Sequence, residues 1–426
     1  MDKFISQTVY PSVEQVANIC FAKFESLPKT GKPTNNEWTV LAGVVQYDEK
    51  EDACKVVSLG CGTKCIGKSK LCKRGLILND SHAEIMARRS LMRYFYKEIK
   101  KSLNVMKEKQ SIFTWCEKKG KFYLKSGLTY HFLSTQTPCG DACIKTHPNK
   151  LNEYYEPKAK KLKTRNECDN IVYDEDCIGN LVYTGAKLLG SQHKDLLEQS
   201  VGAMRTKPGK GERTLSMSCS DKLAKWQIMG VQGALIDVLL TEPIYFETMN
   251  FYDTNISLEC LERAIWQRFI KDSDFNHSIY RLHKPQIRRG NASEFIYKQL
   301  PNKQPSPNGL TWSDIELKDK PYEVSVNGKR QGITSKKLYS PEASLQISKF
   351  HLFSEFLDIL KLKPILLETF GLTTENIGRL NYLTAKSLSK TYQSAWLDAK
   401  TKYFKQWSNK PDDLMKFYVN KIIDHE

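Results

Sequence analysis

Short apolar runs rich in β-branched residues predict strands in the first third of the chain. Between Trp38 and Gly60, the runs TVLAGVVQY and CKVVSLG flank the acidic segment DEKED, a pattern typical of two strands joined by a turn. A further strand is predicted over Leu128–Gln136, which reads LTYHFLSTQ and leads into the loop TPCGDAC.

Apolar positions with helical spacing predict four helices. The first runs from Ser81 to about Leu103, with apolar residues recurring on one face. The segment KLAKWQIMGVQGALIDVLL is apolar almost throughout, which predicts one buried helix capped by Ser220 or Asp221. Two more helical patterns follow near the C-terminus, SLQISKFHLFSEFLDIL and TAKSLSKTYQSAWLDAKTKYFKQW.

Strands alternate with helices early and helices dominate late, which favours an α/β core with a helical C-terminal part. We expect one domain over residues 1–426, with the core at about 38–245, the C-terminal part at about 246–426 and no separate RNA-binding domain. The polar, basic segment 145–170 is interpreted as a surface insertion and a weak candidate for a nuclear import signal. Pro301–Gly309 (PNKQPSPNG) is predicted to be a flexible connection or a loop.

Composition and charge narrow the classes of partner. The 426 residues, 40% hydrophobic and 27% charged, are typical of a soluble globular protein. No apolar run is long enough to predict a membrane span, and the first residues lack a signal peptide. We therefore expect an intracellular protein of the nucleus, the cytoplasm or both, without an obligate protein partner. The net charge of +17 favours a polyanion such as nucleic acid, the alternative being a basic surface kept for solubility. The 12 cysteines are expected to be thiols or metal ligands.

The stretch NDSHAEIMARR permits two interpretations. Ser81-x-x-Glu84 matches a capping box that starts a helix. His82-x-Glu84 also matches the zinc nucleobase-deaminase signature, in which the histidine binds metal and the glutamate is the acid and base. A zinc site of this type takes three protein ligands and leaves one position for water.

Two cysteines compete to be the third zinc ligand. The signature continues as Pro-Cys, here Pro138-Cys139, but its next cysteine should follow at a spacing of three, and Cys143 comes one position later. Cys219, in SCSDK before the buried helix, is the alternative. We expect His82, Cys139 and Cys219 to lie at strand-to-helix junctions along one edge of a parallel sheet.

Four blocks of the chain are similar to the deaminase domain of the adenosine deaminases that act on RNA: LNDSHAEIMARRSL, TPCGDA, RTKPGKGERTLSMSCSDKLAKW and GVQGAL. The resemblance implies a cytidine-deaminase-like three-layer α/β/α core, whose helical C-terminal elaboration closes around a buried polyphosphate. It also implies zinc held by His82, Cys139 and Cys219, and proton transfer by Glu84.

Within that family, the chain most resembles the branch that converts adenosine 37 of tRNA, next to the anticodon, to inosine. The resemblance implies alanine tRNA as substrate, with Val40 beside the base and Thr63 and Lys64 near the ribose. Lys207–Gly211 (KPGKG) lacks the glutamate that duplex-editing members insert into the vacated base position. The alternatives are an editing enzyme for messenger or double-stranded RNA, and an inactive protein that binds RNA or inositol phosphate.

The resemblance further implies a structural inositol hexakisphosphate held by residues from both halves of the chain. The implied contacts are Asn79, Ile85, Arg88, Arg89, Lys207, Ser216, Lys222, Lys225, Trp226, Gln232, Lys349, Tyr382, Lys386, Tyr392, Trp407 and Lys410. The ordinary interpretation of Arg88 is a pair with Glu84 one helical turn earlier. The chain departs from the family pattern at Lys225, Ser216 and Ala234, and at Trp396, which replaces a pocket lysine.

Overall fold

The computed structural model describes residues 10–144, 186–188, 201–209, 212–252, 257–272, 275–291 and 295–419. The predicted insertion at 145–170 lies outside these residues. Among the helices of the described segments, none is both long and apolar enough to cross a lipid bilayer.

The strands within these segments are, in chain order, β1 (Glu37–Trp38), β2 (Leu41–Asp48), β3 (Ala53–Cys61), β4 (Thr63–Cys65), β5 (Asp80–His82), β6 (Phe113–Cys116), β7 (Lys121–Leu124), β8 (Leu128–Ser134), β9 (Lys187–Leu188), β10 (Arg205–Pro208), β11 (Arg213–Met217), β12 (Thr248–Phe251), β13 (Asn276–His277), β14 (Tyr280–Arg281), β15 (Gln286–Arg289), β16 (Gln304–Pro305), β17 (Asn308–Ser313), β18 (Tyr322–Val326) and β19 (Lys329–Arg330). The predicted strands before Gly60 and after Leu128 are confirmed as β2, β3 and β8.

The helices are, in chain order, α1 (Val13–Ser26), α2 (Ala83–Ser102), α3 (Cys219–Met229), α4 (Gly233–Leu239), α5 (Leu258–Ile265), α6 (Lys349–Leu362), α7 (Pro364–Thr369), α8 (Tyr382–Ser387) and α9 (Lys390–Lys402). Helices α1, α5 and α7 were not predicted from the sequence. Helix α2 is confirmed almost over its predicted length.

The central sheet is mixed, with eight strands in the order β15-β12-β8-β2-β3-β17-β18-β19. Only the pairs β8–β12 and β12–β15 are parallel, and the other pairs are antiparallel. The expectation of a parallel sheet was therefore wrong, because β2, β3, β17, β18 and β19 follow one another as antiparallel neighbours. Strands from both sides of position 245 form this one sheet.

Helices cover both faces of the central sheet. Alternate side chains of β2 point to opposite faces: Leu41 and Val45 pack in the cluster that contains α1, and Ala42 and Val44 pack in the cluster that contains α2. Helix α2 lies so close to β3 that a Cβ atom at Gly60 would be 2.4 Å from the backbone nitrogen of Ala87. This close approach fixes the start of α2 relative to the sheet.

Three sequence predictions for the second half of the chain need correction. The predicted long buried helix is two helices, α3 and α4, separated at Gly230, which has a φ of 71°. The last helical pattern is likewise divided into α8 and α9. Pro301–Gly309 is not simply a flexible connection, since its residues 304–305 form β16, which pairs with β1, and β17 begins at Asn308.

Candidate active site

His82 is the residue at which the short strand β5 becomes helix α2. Strand β5 pairs with β4, with Thr63 opposite His82. His82 is also the N-cap of α2, but its side chain makes no capping hydrogen bond. The predicted Ser81–Glu84 capping box is therefore wrong, since the helix begins two residues after Ser81. The imidazole is thus available as a ligand, and the His82 amide donates to the Asp80 carboxylate at 3.1 Å.

Cys139 lies in the loop after β8, and Cys219 is the first residue of α3. The N-cap of α3 is Ser218, whose side chain accepts from the Asp221 amide, and not Ser220 or Asp221 as predicted. The Cys219 amide donates to Cys139 Sγ at 3.3 Å. Gly140 permits this contact: its φ is 108°, and a Cβ atom there would lie 2.3 Å from Ser218 Oγ.

The three side chains converge on one point from three different sheets. Nδ1 of His82 lies 3.6 Å from Cys219 Sγ and 4.0 Å from Cys139 Sγ, and all three ligand atoms lie within 4.8 Å of one another. Zinc–ligand bonds of about 2.0–2.3 Å in a tetrahedron place ligand atoms roughly 3.6 Å apart, so the spacing fits such an ion. The expectation that these residues share one edge of a parallel sheet was wrong, because His82 follows the β4–β5 pair and Cys219 follows the β9–β10–β11 sheet.

Cys143 does not join this group. Its Sγ lies 3.4 Å from the carbonyl oxygen of Pro138, whereas Cys219 takes the third position. The two converging thiols have unlike environments. The hydrogen bond from Cys219 lowers the pKa of Cys139 well below its ordinary value, and burial raises the pKa of Cys219.

A buried ion pair supports the converging ligands. Nζ of Lys207 lies 2.8 and 2.9 Å from the two carboxylate oxygens of Asp80 and 3.0 Å from Cys219 Sγ. Lys222 binds the same carboxylate. Burial is the largest single effect and acts to lower the pKa of Lys207. The negative charges of Asp80 and its neighbours together outweigh burial, and the pKa is raised well above its ordinary value.

Glu84 lies in the first turn of α2 with 3% of its surface exposed. Its negative charge raises the pKa of Lys207, though less than Asp80 does. It also raises the pKa of Cys219, though less than burial and Cys139 do, so the Glu84 carboxylate lies near the ligand group. The interpretation of Arg88 as a partner of Glu84 is not what the structure shows. Arg88 Nε donates instead to the carbonyl oxygen of Val231 at 2.8 Å.

The predicted substrate residues lie around the ligand group. Val40 is half-buried and precedes β2, and its carbonyl oxygen accepts from the Gly62 amide at 3.1 Å. Thr63 Oγ1 is buried and has no hydrogen-bond partner among the described residues. Lys64 is exposed, with Nζ 3.5 Å from the carbonyl oxygen of Pro305.

A small cleft beside Thr63 was not predicted from the sequence. Its lining includes Ser81, Asn308 and Ser325, which come from β5, β17 and β18. Ser325 Oγ is a second buried hydroxyl without a hydrogen-bond partner in the described part of the chain. No local signal could have found this cleft, because its walls lie more than two hundred positions apart in the sequence.

Seven basic side chains lie near one another and near Asp80, and we call them the cation cluster: Arg88, Arg89, Lys222, Lys225, Lys349, Lys386 and Lys410. Six of them form no ion pair with any described residue, and Lys222 pairs with Asp80. Burial, with smaller effects from neighbouring cations, lowers the pKa of Lys410 to about 8. Burial also lowers the pKa values of Lys225 and Lys349 well below their ordinary range.

Aromatic rings line the cation cluster. Nζ of Lys225 lies 3.4 Å from the ring centroid of Trp396 and 5.2 Å from that of Trp407. The guanidinium group of Arg88 lies 5.2 Å from the ring centroid of Trp226. Ring faces attract cations but carry no net charge, so the cluster retains its excess of positive charge.

The other predicted pocket residues have mixed surroundings. Gln232 uses its side chain within the protein: its amide donates to Met229 and Asp237, and its oxygen accepts from Ile244. The remaining members are all buried or half-buried: Asn79, Ile85, Ser216, Tyr382 and Tyr392.

Comparison with known proteins agrees with this arrangement. The family model of the adenosine-deaminase (editase) domain matches residues 58–411. The chain is 48% identical over 407 residues to tRNA-specific adenosine deaminase 1 of Drosophila melanogaster, covering 96% of this chain and 97% of that protein. It is 30% identical to the Homo sapiens protein of the same name, covering 95% of this chain and 99% of that protein. It is also 30% identical to the double-stranded RNA-specific editase Adar of Drosophila melanogaster, covering 71% of this chain and 42% of that protein. The chain therefore belongs to the adenosine-deaminase (editase) domain family.

Proposed function

We propose that this enzyme, which acts on adenosine as its family does, converts adenosine to inosine in tRNA with the help of zinc. The observation that carries the proposal is the convergence of His82, Cys139 and Cys219 beside the buried Glu84. The tRNA substrate is supported by the relatives named tRNA-specific adenosine deaminase 1, which this chain matches over nearly their whole length. By resemblance, the target is adenosine 37 of alanine tRNA.

The ligand group fits zinc by its chemistry. Two thiolate sulfurs and one imidazole nitrogen are ligands that zinc prefers, and three protein ligands leave one position for water. His82 and Cys139 are only half-buried, so this position is open to a substrate. A zinc ion bound here supplies water that loses a proton near neutral pH.

Glu84 performs the proton transfers in this proposal. Water and adenosine yield inosine and ammonia, so one proton from water must reach the purine ring and another must reach the departing amino group. The Glu84 carboxylate takes the first proton, delivers it to the ring nitrogen beside C6, and later protonates the leaving group. Its position in the first turn of α2, two residues after His82, holds it beside the reacting carbon.

Lys207 and Asp80 position the ligands. The ammonium of Lys207 donates to Cys219 Sγ at 3.0 Å, which stabilises the thiolate, and Asp80 holds Lys207 and the His82 amide together. The unpartnered hydroxyl of Thr63 faces the nucleotide, where a ribose hydroxyl satisfies it. A base in an anticodon loop leaves its stack at a smaller cost than a base in a duplex, which suits a site this enclosed.

We also propose that the cation cluster binds inositol hexakisphosphate as a structural cofactor. Buried like charges are costly without a counter-ion, and six of the seven cations have no carboxylate partner among the described residues. Lys349 from α6, Lys386 from α8 and Lys410 after α9 join Arg88 and Arg89 from α2 in this cluster. A polyanion at this position therefore ties the C-terminal helices to the catalytic core as a single unit.

The deamination proposal is tested by inosine mapping. Total tRNA is treated with purified protein or with Glu84→Gln, and inosine is located by sequencing. Inosine at position 37 of one tRNA, lost with the variant, is the expected result. Inosine only in double-stranded RNA would overturn the tRNA substrate, and no inosine from folded, zinc-loaded protein would overturn the deaminase proposal.

The polyphosphate proposal is tested by phosphorus analysis of purified, denatured protein. We expect about six phosphorus atoms per chain in the wild type and a clear loss in Lys386→Ala/Lys410→Ala. A fully active and equally stable protein from cells without inositol phosphates would refute the proposal.

A further inference from the structure

The loop that joins β4 to β5 carries a block of positive charge. We call residues 66–74 the rim loop. Between Thr63 and Asn79 the sequence has five basic and no acidic residues. Lys73 pairs with Asp413 at 3.0 Å, and Arg74 donates to the Tyr339 carbonyl oxygen at 3.4 Å. Neither of the other two rim-loop cations, the exposed Lys68 and Lys70, forms an ion pair in the described part of the chain.

The rim loop leaves the β4–β5 pair at its Asp80 end, two strand residues from His82. Thr63 is opposite His82, and Cys65 is opposite Asp80. Lys68 follows Cys65 by three residues, a span of at most about 10 Å. The phosphates next to a nucleotide at His82 are therefore within reach of this loop.

The rim loop is held in place from outside. The Ser69 amide lies 3.2 Å from each carboxylate oxygen of Glu212, and Ser69 Oγ donates to that carboxylate at 2.6 Å. Gly67 allows this approach, since a Cβ atom there would lie 2.0 Å from Glu212 Oε1. The Glu212 carboxylate accepts hydrogen bonds from Ser69 and forms no ion pair with Lys68 or Lys70. The ammonium groups of these two lysines are therefore available to an anion from outside the protein.

We infer that Lys68 and Lys70 bind the backbone phosphates next to the target adenosine in the substrate RNA. This inference rests on the proposed function and adds the surface that holds the RNA strand. Lysines that neutralise phosphates release counter-ions, and this release drives association. Glu212 holds the backbone at Ser69, between the two lysines, whereas a basic surface kept for solubility needs no such anchor.

The test compares Lys68→Ala/Lys70→Ala with a control that removes the same charge elsewhere. The control is Lys118→Ala/Lys119→Ala, an exposed pair in the turn between β6 and β7. The β6–β7 pair begins beside the C-terminal part of α2, where the Ile112 amide donates to the Glu98 carboxylate at 3.0 Å, and a helix of this length spans roughly 30 Å. Affinity for a labelled alanine tRNA transcript is measured against salt concentration, with both pairs in a Glu84→Gln background so that the substrate is not consumed.

The salt slope is the slope of the logarithm of the association constant against the logarithm of the salt concentration. Each lost phosphate contact is expected to reduce its magnitude by about 0.7–0.9, which at 0.1 M salt corresponds to roughly five- to eightfold in affinity. We therefore expect the rim-loop pair to weaken binding by about 25-fold or more, and Lys68→Arg/Lys70→Arg to restore it. In the active protein, KM should rise while kcat stays within about twofold. An unchanged slope, or an equal loss in the control pair, would overturn the inference.

Glu212→Ala distinguishes the effect of the anchored rim loop on tRNA binding from the effect of the protein's overall charge. The substitution removes one negative charge, so if only the overall charge matters, the protein should bind tRNA more tightly. If the anchored loop matters, the protein should bind tRNA more weakly. Weaker binding supports the inference, and tighter binding refutes it. If the wild type deaminates no tRNA, the proposed function fails, but the binding comparison still decides whether the rim loop holds RNA.

Discussion

Replacing Asp80 by asparagine tests the ion pair that supports the ligand group. The side chain of Lys207 is 0% exposed and that of Asp80 is 6% exposed, so water cannot replace the lost carboxylate. Lys222 loses its partner as well. Removing one partner of a buried ion pair costs about 3–5 kcal/mol, because the other charge stays buried without compensation. We expect the free energy of unfolding of Asp80→Asn to fall by about this amount, which is a large share of the stability of an ordinary protein.

The measurement is equilibrium unfolding in urea at pH 7, with zinc content determined on the same samples. The matched control is Asp358→Asn, which breaks the pair with Lys100 at 2.9 Å; Asp358 is 48% exposed. An exposed pair contributes below about 1 kcal/mol, so the control should change little. Zinc content should fall in Asp80→Asn alone, since Lys207 contacts Cys219. A loss no larger than that of the control would refute the argument from burial.

Three further predictions concern the ligand group and the core. Cys219→Ala should lower bound zinc well below one ion per chain, measured by elemental analysis, whereas Cys143→Ala should retain it; the reverse result would restore Cys143 as the third ligand. His131 is fully buried, and burial lowers its pKa from 6.5 to about 3, so the unfolded chain binds a proton at this site that the folded chain does not. The free energy of unfolding is therefore unaffected by the protonation of this histidine above pH 6.5 and falls by up to about 5 kcal/mol as the pH drops towards 3. In His131→Gln, the free energy of unfolding should depend less on pH over this range. Gly140→Ala should lower stability by at least 1–3 kcal/mol and reduce zinc binding, because its φ of 108° and its contact with Ser218 exclude a side chain; unchanged thermal unfolding and zinc content would contradict this.

Local features of the sequence predicted much of the fold. Helix α2 has a regular apolar face, and β2 and β3 have β-branched residues around an acidic turn, so each follows from interactions among near neighbours. The boundaries of α3 and α4 were harder to predict from the sequence. Nearly all residues of both helices are buried, so no change of periodicity marks the break at Gly230.

The candidate ligands were predictable because their chemistry is written in short motifs. His82 and Glu84 are two residues apart, and Cys139 follows a proline as in zinc deaminases. The residues alone left Cys143 and Cys219 as competitors, since both are cysteines near a loop. Only the packing of the α3 N-terminus against the Cys139 loop brings Cys219 within 3.6 Å of His82.

By itself, the sequence thus determined the types of strand and helix and the residues that have metal-binding and proton-transfer chemistry. The tertiary structure decided where the charges go: Lys207 pairs with Asp80, Glu212 anchors the rim loop, and Lys349 meets Arg89 across the cation cluster. These contacts join residues more than a hundred positions apart. Periodicity and spacing describe only neighbours along the chain, whereas the energy of a charge depends on which distant group or solvent surrounds it.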